Sequence, residues 1–477
     1  MGRRTYHLTW VLLLAGCAPD AGTDAGPDGG PPAVDAGPPA DAGPDRSWPS
    51  TLPSAESLGS RRGRRIARTT IHLHSPLSHD ACDGTGWVDG ALHQPDCLAH
   101  LRAAMCALHL DAAMLTDHSP HVNEVSFEQA LWIAEGDEPV MDGDAVIANR
   151  MGCPDGHRVL VTVGSENALM PIGLRRHPAD ASDPDALGAV YDGDDAAATD
   201  AFHAAGGLVW QAHTEGRSLG QLRATDLDGL ELYNLHANID PGIREEALGL
   251  EPLSFVDDLL LFTRPALRLP PDLAVLAFLA PNQVALDRWD TLLAEGARIA
   301  GSGGCDAHEN AFPMELADGE RADSYRRMLF WIENHVLVDD VTPDGIAEGL
   351  ARGRFYVTTE VFGSPAGFDF VADGTVEMGD EVPVGATLSV TAPRLPDGWP
   401  SDPAPSITVR LLRAADGGAV EVARGDGDLE HVTTAPGAYR VEVSMLPEHA
   451  RPALGTRADL LIREIPWVYS NPIFVTE

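Results

Sequence analysis

The sequence predicts an α/β protein with a mostly parallel sheet, open or closed into a barrel, followed by a small β-sandwich. Between residues 61 and 360, short apolar runs alternate with segments of helical periodicity, and this order places parallel strands between crossover helices. From about Val361 onward, apolar and polar residues alternate, as at 407–411 and 439–443, between turns rich in Gly and Pro. That pattern is typical of antiparallel strands in a sandwich.

The alternation begins with a strand at 68–73 and a helix at 96–110, in which apolar residues recur at helical spacing: Leu98, Leu101, Met105 and Leu108. The same two patterns predict the later elements. Further strands are expected at 111–116, 158–163, 207–212, 229–233 and 298–301, and further helices at 126–135, 196–205, 283–296, 322–335 and 343–352.

Residue types that bind metal ions recur at the carboxyl ends of these strands. His72 and His74 end the first strand, and since residues i and i+2 share one face of a strand, both imidazoles point the same way. An isolated His-x-His pair is more often a surface feature. Here, however, the next loop and the later strand ends supply partners: His79, Asp80, His118, Glu166, His213, Asp306 and His308. Because α/β sheets and barrels form their sites at the carboxyl ends of strands, we expect these side chains to converge.

Nitrogen and oxygen donors of this kind suit Zn, Mn or Fe, and the absence of clustered thiolates argues against a structural zinc site. A carboxylate such as Glu166 can bridge the two ions of a hydrolytic centre. We therefore predict a metal-dependent hydrolase that activates water. His121 and His236, which lie near the expected mouth of the site, are the candidate catalytic acids for the leaving group.

Five short motifs resemble the PHP family, the polymerase and histidinol phosphatase domain. They follow the family's order over roughly residues 66–310: His72-Leu73-His74-Ser75, Thr116-Asp117-His118, Gly164-Ser165-Glu166, Gln211-Ala212-His213 and Asp306-Ala307-His308. The resemblance implies a distorted (β/α)7 barrel with two or three divalent metal ions.

The resemblance also implies how the ligands are shared. One ion would be held by His72, His74, Glu166 and Asp306. A second would be held by Glu166, His177 and His213, where His177 is included for its spacing from Glu166. A third would be held by His118 and His308 with either His79 or Asp80, and His79 stands at the more usual spacing from His74.

The chain departs from the family pattern at two places. Thr214 follows His213 where proline is usual, and Gly303-Gly304-Cys305 interrupts the usual Gly-Ser-Asp before the last motif histidine. The second departure places a thiol beside the expected metal site. We expect the Cys305 side chain to be a packed core residue.

Three C-terminal motifs resemble the CehA/McbA-type branch of exported PHP hydrolases: Gly353-Arg354-Phe355-Tyr356, Gly437-Ala438-Tyr439-Arg440-Val441-Glu442 and Trp467-Val468-Tyr469-Ser470-Asn471-Pro472-Ile473. This likeness implies a small-molecule ester or amide substrate. We predict a phosphoesterase, with carbamate or amide hydrolysis at the same metal site as the alternative. The rival outside the enzymes is a surface binding protein that keeps its metal only for stability.

The N-terminal residues predict export. Arg3 and Arg4, the apolar run at 8–14 and the small residues before Cys17 predict a signal peptide at 1–17. This ending resembles the lipobox of bacterial lipoproteins, which implies a lipid on Cys17. Residues 18–60, built from Ala, Gly, Pro and Asp, predict a disordered tether that precedes a barrel domain at 61–360 and a sandwich at 361–477. We expect the protein to be anchored to the bacterial cell envelope through Cys17 alone.

Export implies an oxidising compartment, in which Cys82, Cys97, Cys106 and Cys153 can form two disulfides. We favour the pairs Cys82–Cys97 and Cys106–Cys153, although the sequence alone leaves the connectivity open. The net charge is −39 and the chain contains no lysine, so its surface repels phosphate backbones and we expect no nucleic-acid partner. The sequence does not define an oligomeric state.

Overall fold

The strand Arg64–Leu73 runs through the middle of the largest sheet and carries the first candidate ligands at its carboxyl end. From Ile66 to Leu73 every residue is buried. On one side it pairs in parallel with Ala112–Leu115, which in turn pairs in parallel with Arg158–Val163; on the other it pairs antiparallel with Glu333–Val338. Burial on both faces explains why apolar or β-branched residues fill six of the eight positions from Ile66 to Leu73.

The computed structural model describes residues 47–477. The predicted signal peptide, the predicted lipidation site Cys17 and most of the predicted tether lie outside the described residues. Among the residues from 47 onward, no helix combines the length and apolar character that crossing a membrane requires.

A second, four-stranded sheet holds most of the remaining strand ends of interest. Its strands are Met170–Ile172, Leu208–Gln211, Gly229–Asn234 and Ala300–Gly304, of which the last three are parallel and the first is antiparallel. Isolated bridges join it to the larger sheet, Leu73 with Ala307 and Val163 with Leu174. The predicted α/β class is confirmed, while the closed (β/α)7 barrel stays a prediction.

The larger sheet continues into the C-terminal part of the chain, so the boundary predicted at 360/361 does not divide the sheet. In spatial order its strands are Glu138–Asp142, Ala145–Gly152, Arg158–Val163, Ala112–Leu115, Arg64–Leu73, Glu333–Val338, Phe355–Thr358, Ile465–Ser470, Gly437–Leu446, Ile473–Thr476 and Glu381–Pro383, with Ser60–Arg61, Ser406–Ala415 and Gly418–Gly425 attached at its flanks. The strands predicted at 407–411 and 439–443 lie within Ser406–Ala415 and Gly437–Leu446. A separate three-stranded sheet contains Asp369–Ala372, Thr387–Thr391 and Leu429–Val432, and a hairpin contains Trp87–Val88 and Ala91–Leu92.

The helices that the sequence predicts most clearly are present with nearly the expected bounds: Pro95–Ala107, Ala196–Ala204, Gln283–Ala294 and Pro343–Ala351. Asp195, Asn282 and Thr342 cap the last three through side-chain oxygens. Among the described residues, the other α-helices are Phe127–Ala130, Pro184–Tyr191, Leu219–Ala224, Leu235–Ile239, Pro241–Glu246, Val256–Leu259, Tyr325–Trp331, Arg451–Leu454 and Ala458–Leu461. The segment Ala81–Gly84 is a turn in which Cys82 and Asp83 lie outside the helical region.

Two predicted helices are wrong over part of their length. The one at 126–135 shrinks to Phe127–Ala130, and an unpredicted hairpin follows, because the Asp137 carboxylate binds Arg102, Asn149 and nearby backbone amides and so organises a turn. The one at 322–335 ends at Trp331, and His335 belongs instead to the strand Glu333–Val338. There, pairing with strands on both sides overrides local helical periodicity.

The predicted tether is also wrong at its C-terminal end. Leu52, Ala55 and Leu58 are buried in the core, and the Trp48 indole donates a hydrogen bond of 2.9 Å to the Val361 carbonyl. These apolar side chains provide the burial that the preceding Ala, Gly, Pro and Asp repeats lack. The folded part therefore begins before residue 61.

Both favoured disulfides are formed, Cys82–Cys97 and Cys106–Cys153. They attach the two ends of the helix Pro95–Ala107 to different parts of the chain. Cys305 is a buried free thiol, 3.2 Å from the His72 carbonyl oxygen and 3.6 Å from the Thr70 hydroxyl. Burial is the main cause that raises the pKa of this thiol, which agrees with the expected packed core residue.

Candidate metal centre

The carboxyl ends of Arg64–Leu73 and Ala300–Gly304 lie side by side and bring the first and last motifs together. The His74 amide donates to the Ala307 carbonyl over 3.1 Å, and the Asp306 amide donates to the His72 carbonyl over 3.2 Å. Asp306 adopts a left-handed backbone conformation, with φ of 51°, which turns its carboxylate back over the strand ends. His72, His74 and Asp306 are all buried.

Four side-chain atoms converge on a common point. They are one ring nitrogen each from His72 and His74 and one carboxylate oxygen each from Glu166 and Asp306. His72 Nε2 lies 3.1 Å from His74 Nε2, 3.2 Å from Glu166 Oε2 and 3.3 Å from Asp306 Oδ1. His74 Nε2 lies 3.4 Å and 3.2 Å from the same two oxygens. The four side chains form one of the groups that could hold a metal ion.

This spacing fits a metal ion better than it fits ordinary hydrogen bonds. Ligand atoms at about 2.0–2.1 Å from a tetrahedral metal lie about 3.3–3.4 Å from one another, close to the 3.1–3.4 Å found here. His72 Nδ1 donates to Glu231 Oε1 over 2.7 Å, which directs the Nε2 lone pair of the neutral ring toward the common point. The donor set therefore fits a divalent ion by residue type, spacing and tautomer.

Glu166 and Asp306 each present their second oxygen to further imidazoles. Glu166 Oε1 lies 3.1 Å from His213 Nε2. Asp306 Oδ2 lies 3.5 Å from His213 Nε2 and 3.2 Å from His236 Nδ1. Each of the two carboxylates therefore has imidazoles next to both of its oxygens. A carboxylate in this position could bridge two neighbouring metal ions.

A third side of the cluster is formed by Asp80 and His118. His118 Nε2 lies 3.4 Å from Asp80 Oδ2 and 3.5 Å from Glu166 Oε2, and His74, Asp80 and His118 form a second group that could hold a metal ion. His79 is exposed, and its ring packs against the His118 ring at a centroid distance of 5.0 Å. Of the two alternatives left by the sequence, the structure brings Asp80 to the cluster and turns the preferred His79 outward.

His236 and His308 complete the cluster near its mouth. With Asp306 they form a third group that could hold a metal ion, and His308 Nε2 lies 3.7 Å from Asp306 Oδ1. The prediction treated His236 as a catalytic acid apart from the ligands, whereas its position beside Asp306 makes it a candidate ligand. Its strand end was visible in the sequence, but the turn of the helix Leu235–Ile239 that points it inward was not.

For His177 the structure does not support the predicted role. Its ring is buried away from these groups, where the Tyr191 hydroxyl donates to Nδ1 over 2.8 Å and Nε2 donates to the Val125 carbonyl over 3.0 Å. Both nitrogens are thus occupied, and burial lowers the pKa of the ring. The spacing of His177 from Glu166, for which the family pattern included it, gave no sign of this packing.

His121, the other candidate catalytic acid, is half-buried and is bonded to the segment that precedes His79 and Asp80. Its Nδ1 donates to the Leu77 carbonyl over 3.1 Å, which leaves Nε2 available. His121 belongs to none of the groups of the described chain that could hold a metal ion.

Within residues 47–477, the ion pairs of the cluster's carboxylates are all with imidazoles. Burial opposes ionisation of Glu166 and Asp306, yet the imidazole of His72 holds the pKa of each carboxyl well below its usual range. Conversely, burial would lower the pKa of His74, but Asp306 and Glu166 raise it to about 10. Without a metal ion, protons supply the positive charge that these carboxylates require.

Two buried carboxylates that the sequence reasoning missed hold the candidate ligands from behind. Glu231 accepts hydrogen bonds from His72 Nδ1, from the His213 amide over 2.9 Å and from Asn234 Nδ2 over 2.8 Å. Glu215 lies 3.7 Å from His213 Nδ1 and accepts a hydrogen bond from Asn282. The available signal was Glu231 itself, an acidic residue within the otherwise apolar run Gly229–Tyr233.

Two neighbouring groups shape the first turn of the site. Asp117 accepts hydrogen bonds from the Ser75 amide and hydroxyl, over 2.6 Å and 2.7 Å. The Tyr325 hydroxyl donates to the His74 carbonyl over 2.9 Å. These contacts hold the chain as it leaves the strand and enters the ligand-bearing loop.

Neither a scan against protein-family models nor a search of curated proteins finds a match for this chain. Among solved structures, it is similar to a two-domain protein containing a predicted PHP-like metal-dependent phosphoesterase from Bacteroides vulgatus ATCC 8482, at 14% identity and a TM-score of 0.32, covering 90% of this chain and 100% of the other. It is also similar to PsfC from Pseudomonas syringae PB-5123, at 13% identity and a TM-score of 0.29, covering 60% of this chain and 87% of the other. At these TM-scores neither likeness assigns a fold or an activity, so the functional conclusion rests on the chain's own residues.

Proposed function

We propose that this protein is a metal-dependent hydrolase of the PHP type that cleaves phosphoesters. The observation that carries this proposal is the convergence of His72, His74, Glu166 and Asp306 at metal-ligand spacing, with the second oxygens of both carboxylates facing His213 and His236. This arrangement supports two neighbouring ions, and the Asp80–His118 side supports a third. The resemblance to the PHP family motivates the phosphoester substrate, and carbamate or amide hydrolysis at the same metal site is the alternative that the substrate panel tests.

The protein's own groups would prepare the site for its ions and substrate. Bound divalent ions would lower the pKa of a water ligand and offset negative charge on the reacting oxygens. Glu231 holds the His72 ring in one tautomer and the His213 backbone in place. Burial of Glu166 and Asp306 keeps bulk water from screening their charge.

His121 is the residue that we propose as the general acid. Its Nδ1 hydrogen bond to the Leu77 carbonyl fixes the ring and leaves Nε2 to carry the proton that a leaving alkoxide needs. It belongs to none of the groups of the described chain that could hold a metal ion. Replacing His121 with Gln should therefore lower turnover while leaving metal content unchanged.

The test of the proposed function combines elemental analysis with a substrate panel. Purified protein should contain more than one equivalent of Zn, Mn or Fe and hydrolyse activated phosphate mono- or diesters in preference to carbamates and anilides. The His72→Ala/His74→Ala variant should lose metal and turnover, and His431→Ala, in the three-stranded C-terminal sheet, is the matched control. Unchanged metal content and turnover in the double variant would refute the proposal.

We also propose that the protein is exported and lipid-anchored through Cys17. Two disulfides support an oxidising compartment. Mass spectrometry of the N-terminal peptide of membrane-extracted protein should find a lipid-modified Cys17 and no residues before it. An intact N-terminus in a protein that fractionates with the cytosol would contradict this.

A further inference from the structure

The Asp80 side of the metal centre depends on a single loop, residues 76–86, here called the Asp80 loop. It is joined to the chain that carries His308 by three hydrogen bonds: Cys82 N donates to His308 O over 2.8 Å, Asp83 N to Glu309 O over 3.0 Å, and Asn310 Nδ2 to Asp80 O over 2.8 Å. Within the loop, the Ser78 hydroxyl donates to Asp80 Oδ1 over 2.7 Å. These contacts determine where the carboxylate points.

The Asp80 loop has a strained backbone and therefore needs an external restraint. Cys82 and Asp83 are consecutive non-glycine residues in the left-handed region, each with φ of 56°. Such conformations persist only where the surroundings hold them in place. Besides those hydrogen bonds, the covalent restraint beside Asp80 is the disulfide from Cys82 to Cys97, in the first turn of the helix Pro95–Ala107.

The helix is a firm anchor for this bond. Its residues Leu101, Ala104 and Met105 are buried in the core. The loop is also tightly packed around the sulfur atoms, because a Cβ added at Gly86 would lie 2.6 Å from the Pro76 carbonyl oxygen and 3.0 Å from Cys82 Sγ. The helix packs into the core, and the disulfide links this helix to the Asp80 loop.

We propose that the Cys82–Cys97 disulfide positions Asp80, so that tight metal binding by His74, Asp80 and His118 depends on this bond. The inference rests on the proposed metal centre and goes beyond it, because it assigns a functional role to one disulfide and withholds it from the other. Cys82 and Cys97 act through Asp80 and contact no substrate.

The second disulfide provides a matched comparison within the same helix. Cys106 lies nine residues beyond Cys97, about 14 Å along the helix axis, and binds Cys153, which follows the strand Ala145–Gly152. The Cys153 amide donates a hydrogen bond to the His157 carbonyl, and His157 is not a candidate metal ligand. Loss of either bond should lower the melting temperature, whereas only loss of Cys82–Cys97 should change metal binding.

The experiment compares the Cys82→Ala/Cys97→Ala and Cys106→Ala/Cys153→Ala proteins with wild type. Folded protein, verified by circular dichroism, is equilibrated with buffered Zn²⁺ or Mn²⁺ and its metal equivalents are measured by elemental analysis. We expect the first variant to bind its Asp80-dependent equivalent about 10–100-fold less tightly, and the second to stay within about twofold of wild type. Asp80→Asn should weaken the same equivalent, and adding it to the first variant should cause little further loss.

Gly86→Ala provides a second test that keeps both sulfur atoms, should the cysteine variant fail to fold. It should also weaken the Asp80-dependent equivalent, whereas Gly427→Ala, where the added Cβ meets open space, should not. Wild-type metal affinity in a folded Cys82→Ala/Cys97→Ala protein would overturn the role of the disulfide and leave the proposed function standing. Wild-type affinity in Gly86→Ala would overturn the dependence of this equivalent on packing around the Asp80 loop, on which the inference rests. A wild-type protein that binds no metal would overturn the proposed function, and the inference with it.

Discussion

Two sets of buried charged groups, here called the junction cluster and the metal-centre cluster, balance their charge in different ways. The junction cluster comprises two separate groups that join the N- and C-terminal parts of the chain. Arg440 forms an ion pair of 2.7 Å with Asp290, and elsewhere Arg68 lies 3.5 Å from Glu360, which also contacts His335. In the candidate metal centre, Asp80, Glu166, Glu231 and Asp306 face imidazoles, and none of the ion pairs formed by residues 47–477 joins them to an arginine.

The difference shows where the chain provides its own cations and where it does not. A buried carboxylate needs a nearby positive charge or must be neutral. Arginine supplies that charge permanently at the junction, whereas imidazoles can give up their protons at the metal centre and leave room for a divalent ion. Glu333 at the junction has no hydrogen-bond partner for its buried carboxyl oxygens. It is the case in which the carboxyl group is neutral, because burial, and after it Glu360, raises its pKa well above the usual range.

The largest expected effect is at the metal centre itself. Asp306→Asn keeps the side-chain shape, and Asn tolerates the left-handed backbone found there, but it removes the charge shared by two groups of donors. Because changes behind metal ligands already cost about 10–100-fold in affinity, we expect this ligand change to cost more than about 100-fold. Isothermal titration with Zn²⁺ or Mn²⁺ measures it, and wild-type affinity would show that Asp306 is not a ligand.

The next effect belongs to the junction and should alter stability without altering metal binding. Arg440→Met leaves Asp290 buried without its partner, which should lower the free energy of unfolding by about 3–5 kcal/mol. The Arg440→Met/Asp290→Leu protein should recover part of that loss. Urea denaturation measures both, and a fall in metal equivalents of the folded variant would contradict the proposed separation of the two clusters.

A smaller effect is expected from Glu231, which contacts no ion directly. Glu231→Gln should lower metal affinity by about 10–100-fold, because the amide orients the His72 ring less strongly. Gly304→Ala should act similarly, since its Cβ would lie 2.0 Å from Glu231 Oε1. Glu295→Gln, in an exposed pair with Arg223, is the control, and equal affinities in all three proteins would exclude the orienting role.

The smallest expected effects are opposite pH responses of the two clusters in the metal-free protein. Asp306 and Glu166 outweigh burial and raise the pKa of His74 to about 10 from 6.5, so its stabilising contribution is present below pH 6.5 and is lost as the pH rises toward 10. Arg68 and His335 outweigh burial and lower the pKa of Glu360 to about 2 from 4.5, so its contribution is present above pH 4.5 and is lost as the pH falls toward 2.

Melting temperatures measured across both pH ranges test this contrast. Bound metal replaces protons on the imidazoles, so the alkaline decrease should disappear in metal-loaded protein while the acid decrease remains. An alkaline decrease of equal size with and without metal would contradict the assignment of His74 as a ligand.

Much of the fold and the cluster could be predicted because both depend on local patterns. Apolar runs placed the strands Arg64–Leu73, Arg158–Val163 and Gly229–Asn234 close to their observed positions, since alternation and burial leave a signal within a few residues. The part of the tether that folds back, and the strand Glu333–Val338, were missed because distant segments stabilise them.

The sequence by itself determined which strand ends carry nitrogen and oxygen donors, because the two-residue period of a strand decides that His72 and His74 share a face. Only the tertiary structure decided that Asp80 faces the cluster and His79 does not, that His236 joins it, and that His177 bonds to Tyr191 and Val125 instead. It also decided that Glu231 stands behind His72. The physical reason is that these choices depend on side-chain directions and contacts between residues far apart in the chain, which no local pattern records.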